Sequence, residues 1–100
     1  MKISVKRSGG FAGLSEDIAS VDTAESDQAT QRQIEQAVQA VRFFELPERL
    51  AGDSVGADLF QYEITISTGD RRHTVAFVDD ASAATAPLRK LVDTLSQLAL

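Results

Sequence analysis

The sequence contains no cysteine and a single histidine, His73. Without cysteine, the chain cannot form disulfide bridges, thiolate zinc sites, iron–sulfur clusters or a cysteine nucleophile. One histidine cannot supply the two or three imidazoles that a usual catalytic zinc site takes. His73 follows Arg71 and Arg72 where a strand is predicted to begin, so we expect it at the surface or at a sheet edge.

Basic residues are also few, since 10 Lys and Arg face 15 Asp and Glu and the net charge is -5. Proteins that bind duplex DNA or an anionic membrane need a basic face that displaces counterions, so neither partner is expected. No stretch approaches the roughly 18 apolar residues that a membrane span requires. The charged, alternating first residues are unlike the apolar core of a signal peptide. The cytoplasm is therefore the expected compartment.

Signatures of catalysis are absent as well. No serine stands in a nucleophile-elbow motif, and the glycines at 9, 10 and 13 have neither the Walker lysine nor dinucleotide-binding spacing. Asp79 and Asp80 are adjacent, so on a strand their side chains would point apart, and before a helix they are typical of a cap or turn. We expect a protein that is not an enzyme and that has no cofactor and no metal site.

The residues that are present predict one folded domain over residues 1–100, because 43% hydrophobic and 25% charged residues are ordinary globular values. Alternating apolar and polar residues predict four strands: Lys2–Lys6, about Glu16–Asp22, Phe60–Ser67 and His73–Val78. Gly69 and Asp70 form a good turn between the last two strands. The register of the second strand is undetermined, because Ile18, Ala19 and Val21 do not alternate.

Two helices are predicted between and after these strands. The first begins somewhere from Thr23 to Gln31, carries apolar residues at helical spacing as far as Phe44, and is stopped by Pro47. The segment from Glu48 to Asp58 is interpreted as a connection. The second helix has Pro87 in its first turn and an inner face of leucine and valine: Leu88, Leu91, Val92, Leu95 and Leu98. The element order predicts an α+β fold, with a four-stranded antiparallel sheet and both helices on one face, its strand order left open.

The segment from Ser8 to Leu14 stands apart from these periodic patterns, since three glycines surround the aromatic Phe11. Glycines at this density indicate a loop or a backbone that another molecule approaches closely. Two interpretations are open. Phe11 either folds back over the edge of the core or is exposed on a thin loop that fills a pocket of another protein.

The sequence Arg-Ser-Gly-Gly-Phe-Ala-Gly-Leu of Arg7–Leu14 follows directly on the opening strand Lys2–Val5. This combination resembles the emfourin family, the inhibitors of protealysin and their bacterial relatives. Tyr62–Ile66, the strand Arg72–Val78 with Asp79, and the leucine-rich final helix fit the same pattern. In element order, the resemblance covers nearly the whole chain, and its specific part is the eight-residue segment.

The resemblance implies a protein inhibitor of thermolysin-like, protealysin-type zinc metallopeptidases, which blocks the active-site cleft with a glycine-rich loop. Such enzymes favour a large hydrophobic side chain just after the scissile bond, and Phe11 or Leu14 could occupy that subsite. Covering the open zinc position, or offering it a carbonyl or carboxylate oxygen, would suffice for inhibition. Glu16 and Asp17 are the nearest carboxylates in the sequence. The implied protease-binding residues are Arg7, Ser8, Gly9, Gly10, Phe11, Ala12, Gly13 and Leu14.

The main alternative is a non-catalytic interaction module without a peptidase target, in which an open sheet face or edge strand docks a partner or forms a homodimer. A weaker alternative is a carrier that holds a small ligand between the sheet and the helices. Under the inhibitor hypothesis, the free protein is expected to be a monomer.

Overall fold

The computed structural model describes residues 1–9, 16–50, 60–78, 83 and 85–98. The strands are β1 (Lys2–Gly9), β2 (Glu16–Asp22), β3 (Arg49–Leu50), β4 (Phe60–Thr68) and β5 (Arg71–Val78). The α-helices are α1 (Gln28–Ala40) and α2 (Ala86–Leu98), and short 3₁₀ helices cover Thr23–Glu25 and Phe43–Glu45.

The strands form one sheet in the order β2-β1-β4-β5-β3. β1 pairs antiparallel with β2 and with β4, and β4 pairs antiparallel with β5. The predicted four-stranded antiparallel sheet and its two hairpins are therefore confirmed. The two hairpins join through β1 and β4, a pairing that the sequence left open.

A fifth strand, β3, was not expected, because the residues after Glu48 were interpreted only as a connection. Arg49 and Leu50 pair in parallel with Ala76 and Phe77 of β5. The Ala76 N–H also donates to the Glu48 carbonyl at 2.8 Å, which brings the chain to this edge of the sheet. A two-residue strand has no periodicity of its own, so only the long-range pairing reveals it.

A β-bulge in β2 explains why its sequence does not alternate. Val5 of β1 faces Ala19, but the next residue of β1, Lys6, faces Asp17, so Ile18 is the extra residue. An inserted residue reverses the alternation on one side of the bulge. Ala19 is consequently buried on the core side, while Ile18 is half-buried at the margin of the core.

The core lies between one face of the sheet and both helices. The described strands contribute seven buried hydrophobic residues: Ile3, Val5, Ala19, Ile64, Ile66, Val75 and Phe77. The helices close on them with Ile34 and Val38 from α1 and with Leu88, Leu91, Val92 and Leu95 from α2. Because all of these residues form one cluster, both helices cover the same face, as predicted.

The first helix starts within the predicted window but ends earlier than predicted. Asp27 caps its N-terminus by accepting from the Thr30 N–H at 2.8 Å. α1 ends at Ala40, and Arg42 then adopts a left-handed conformation with φ 50° and ψ 53°. Phe43 and Phe44 follow in a 3₁₀ turn, so Phe44 is not on the helix face to which its spacing assigned it. Pro47 lies several residues beyond the last residue of α1, so it is not what ends the helix.

His73, which was expected at the surface or at a sheet edge, is half-buried in β5, outside the two residues of that strand that pair with β3. Its Nε2 lies 2.7 Å from the Leu46 carbonyl oxygen and donates to it. The ring also makes an edge contact with Phe43, with 5.5 Å between the ring centroids. The single histidine therefore fixes the segment after α1 against β5.

Candidate functional site

The candidate segment begins at the end of β1 and lies at the junction of β1 with β2. Arg7, Ser8 and Gly9 belong to β1, where Arg7 pairs with Glu16 of β2 and Gly9 pairs with Phe60 of β4. The remaining candidate residues are outside the part of the chain that the structure describes: Gly10, Phe11, Ala12, Gly13 and Leu14. The described residues are those that flank this segment in β1 and β2, and their surroundings are called the loop base below.

Arg7 connects three strands at this base. Its guanidinium donates to the Glu16 carboxylate in an ion pair, and its Cζ lies 4.6 Å from the centroid of the Phe60 ring. Hydrogen bonding to Glu16, with a smaller contribution from Tyr62, holds the pKa of Arg7 above its ordinary value. Arg7 therefore stays charged and joins the first residues of β2 and β4 to the end of β1.

Phe60 is exposed, with 42% of its surface accessible, and it is the one large hydrophobic side chain exposed in the described ranges. It is the first residue of β4 and stands opposite Gly9, the last residue of β1. The sequence pattern placed Phe60 at the start of an alternating strand and gave no sign of its exposure. Its position follows from the pairing of β1 with β4.

Aromatic side chains pack against each other at this end of the sheet. Tyr62 pairs with Arg7 on one side and with Phe77 on the other. The Tyr62 and Phe77 rings are stacked, with 5.3 Å between their centroids and 18° between their planes. Phe77 is fully buried, so the base of the loop is continuous with the hydrophobic core.

The two carboxylates nearest the loop differ in their surroundings. Glu16 accepts from Arg7, whereas Asp17 faces Lys6 across the β1–β2 pair. Glu16 is thereby engaged by Arg7, and binding of its carboxylate to a metal would compete with this ion pair.

The described residues were also searched for a metal site. Among them, no group of three or more His, Asp and Glu residues could hold a metal ion. Asp79 and Asp80, interpreted above as a cap or turn, fall outside the described residues. The single histidine is engaged by the Leu46 carbonyl, as described above.

Comparison with known families decides the assignment. A family model described as Emfourin matches residues 5–96, which is most of the chain and includes the whole candidate segment. This chain belongs to the emfourin family. The emfourin family is an inhibitor family, so a role as a protease inhibitor follows in general terms. Searches of curated proteins and of solved structures gave no match.

The helices of this emfourin-family protein are short. α1 and α2 have 13 residues each. In the described ranges, no helix is long and apolar enough to cross a membrane.

Proposed function

We propose that this protein inhibits thermolysin-like, protealysin-type zinc metallopeptidases by inserting the loop within Arg7–Leu14 into the active-site cleft. The observation that carries the proposal is the family match across residues 5–96, which includes this loop. Phe11 or Leu14 supplies the large hydrophobic side chain that the enzyme accepts after its scissile bond. The inhibitor contributes no catalytic group of its own.

The structure of the loop base supports this role. β1 is paired on both sides, by β2 and by β4, and Arg7 ties the three strands together where the loop leaves them. A segment held at both ends by a sheet loses less conformational entropy on binding than a free peptide does. This preorganisation favours tight binding of the intact loop.

Inhibition then rests on occupation of the cleft. A catalytic zinc keeps one position open for water or substrate, and a loop that fills the adjoining subsite excludes both. The ion pair between Glu16 and Arg7 favours this steric mechanism over ligation of the zinc by Glu16. The partner is the peptidase, and the free inhibitor is a monomer.

The edge strand β2 bears on the alternative of a homodimerising module. Among the described strands, β2 has a partner on one side only, and it carries exposed Glu16 and Asp17 together with a bulge at Ile18. Charged side chains and bulges are the usual devices that prevent edge strands from pairing with another chain. Sedimentation velocity at micromolar concentration is expected to give a monomer, and a stable dimer would favour the alternative.

Phe11→Ala tests the loop mechanism. Protease–inhibitor interfaces concentrate their energy in a few anchors, and losing one commonly costs about 2 kcal/mol or more. At about 1.4 kcal/mol per decade, the inhibition constant toward thermolysin or protealysin should rise roughly 30-fold while the melting midpoint changes little. Asp70→Ala, in the β4–β5 turn at the opposite end of the sheet, is the control and should inhibit like the parent protein.

The two measurements on Phe11→Ala separate the interpretations. A variant that melts many degrees lower would assign Phe11 to the core rather than to the interface. A variant that keeps both its stability and its full potency would remove Phe11 from the binding site.

A further inference from the structure

The loop alone is too small to form an interface of the size that protease–inhibitor complexes have. Such interfaces bury about 800 Å² on each partner and involve roughly 20–30 residues a side. The candidate segment Arg7–Leu14 has eight residues. The rest of the contact must come from surfaces beside the loop base.

The neighbouring surface of the sheet has the composition that a binding interface needs. At the loop end, the last strand pairs of β1, β4 and β5 join uncharged residues, Ser8, Gly9, Phe60, Gln61 and Val78, and the charges of Arg7 and Glu16 beside them are paired with each other. The opposite end of the same strands carries charges: Lys2, Asp70, Arg71 and Arg72. Interface centres are enriched in aromatic residues and depleted in charged ones, so the loop end is the better docking surface.

Phe60 is the distinctive member of this uncharged end. With 42% of its surface accessible, Phe60 can be covered by a partner, and aromatic side chains are enriched at interface centres. Because Phe60 faces Gly9, its position is adjacent to the point where the loop starts. A partner that receives the loop must therefore also pass close to the Phe60 ring.

Arg7 restrains Phe60 for such a contact. The guanidinium lies 4.6 Å from the ring centroid and is itself fixed by Glu16. A cation held over an aromatic face is attracted to it and limits the motion of the ring. An aromatic side chain that is already ordered loses less entropy when it is buried by a partner.

We propose that Phe60 is a second anchor, which packs on an apolar surface at the rim of the peptidase cleft while the loop occupies the cleft itself. This inference rests on the proposed function, and it adds a contact that belongs to β4 rather than to the loop. Arg7 acts as a positioning residue for the ring.

Phe60→Ala tests the second anchor by its inhibition constant toward thermolysin and by its melting midpoint. Loss of an aromatic anchor should raise the inhibition constant at least tenfold. Phe60→Leu keeps an apolar side chain at the same place and should weaken inhibition less than Phe60→Ala does. Arg71→Ala is the matched control, because it removes the corresponding cation–aromatic contact, with Phe44 at 4.2 Å, from the far end of the sheet.

The outcomes distinguish the anchor from the function on which it rests. If the parent protein inhibits and Phe60→Ala inhibits equally well, the second anchor is overturned and the proposed function stands. If Phe60→Ala melts lower than the parent, Phe60→Leu, which keeps an apolar side chain, and Phe60→Lys, which replaces it with a charge, are assayed at a temperature where they are fully folded. Inhibition equal to the parent's by both of these variants overturns the anchor. If the parent protein itself does not inhibit, both proposals fail.

Discussion

At the scale of single residues, two positions have the same left-handed backbone but different side chains. Arg42 has φ 50° and Gly69 has φ 54°. A side chain with a Cβ is disfavoured in this conformation by about 1–2 kcal/mol, and glycine is not. Arg42 therefore carries backbone strain at the end of α1 that Gly69 avoids in the β4–β5 turn.

Arg42→Gly is expected to stabilise the protein. The free energy gained by relieving the strain exceeds the cost of the added flexibility of glycine in the unfolded chain, which is about 0.4–1 kcal/mol. The expected net gain is about 0.5–1 kcal/mol, or a few degrees in the melting midpoint of a domain this small. Differential scanning calorimetry measures it, and a lowered midpoint would contradict the assignment of strain to Arg42.

Gly69→Ala should act in the opposite direction. No atom lies within 4 Å of the Cβ that alanine would add, so the effect comes from the backbone conformation alone. We expect a loss of about 1 kcal/mol in the free energy of unfolding, measured by urea denaturation. A neutral Gly69→Ala would show that the turn readily changes its conformation.

Residue-scale features were the least predictable from sequence. The αL residue at 42 is an arginine and not the glycine that usually ends a helix, so nothing marked the break before Phe43. The hydrogen bond of His73 could not be predicted, because its acceptor, the Leu46 carbonyl, is 27 positions away in the chain. The exposure of Phe60 depends on its pairing with Gly9, which is equally non-local.

At the scale of secondary structure, the N-terminus of α1 gives a pH-dependent contribution to stability. Asp27 accepts hydrogen bonds from Thr30, which lower its pKa from the ordinary value of 3.8. A carboxylate with a lowered folded pKa stabilises the fold fully at neutral pH. That contribution is lost as the pH falls below about 4 and through the folded pKa.

Asp27→Asn isolates this contribution. Asparagine also caps helices well, so the variant should match the parent near pH 7. Between about pH 4 and pH 2, its melting midpoint should fall less steeply than that of the parent, because it has no carboxylate to protonate. Identical slopes in the two proteins would show that the cap does not titrate on unfolding.

The strand β4 supplies the centre of the core. Ile64 is fully buried between Val5 and Val75, while Tyr62 is half-buried and stacks on Phe77. Ile64→Ala should cost about 2–5 kcal/mol in the free energy of unfolding. Tyr62→Ala should also lower the melting midpoint, but less, because part of its side chain is already in solvent. Midpoints unchanged in both variants would contradict the inner face assigned to β4.

Elements with strong periodicity were predictable, and those fixed by distant contacts were not. The four antiparallel strands and α2 follow from alternation and helical spacing, which depend on burial of one face. β3 was missed because it consists of two residues added to β5 by long-range pairing. The order of the strands could not be predicted, since the same alternation suits any pairing of the two hairpins.

At the scale of the whole molecule, one hydrophobic core lies behind the strands that flank the candidate segment. Both helices cover the inner face, and β1 is held between β2 and β4. This arrangement holds Arg7 and Glu16, which flank the candidate segment, in adjacent paired strands. The sequence indicates a loop within Arg7–Leu14, through its glycines and its resemblance to the emfourin family, and this stays a prediction because residues 10–15 lie outside the described part of the chain. It could not predict the surface beside the loop, because Phe60 joins it only in the folded sheet.

The central claim is that this protein inhibits a thermolysin-like peptidase by occupying its cleft. The most direct measurement is a titration of thermolysin and of protealysin with the intact protein at several substrate concentrations. We expect loss of peptidase activity with an apparent inhibition constant that rises linearly with substrate concentration, as competition for the cleft requires. Full activity of both enzymes at micromolar inhibitor, or inhibition independent of substrate concentration, would contradict it.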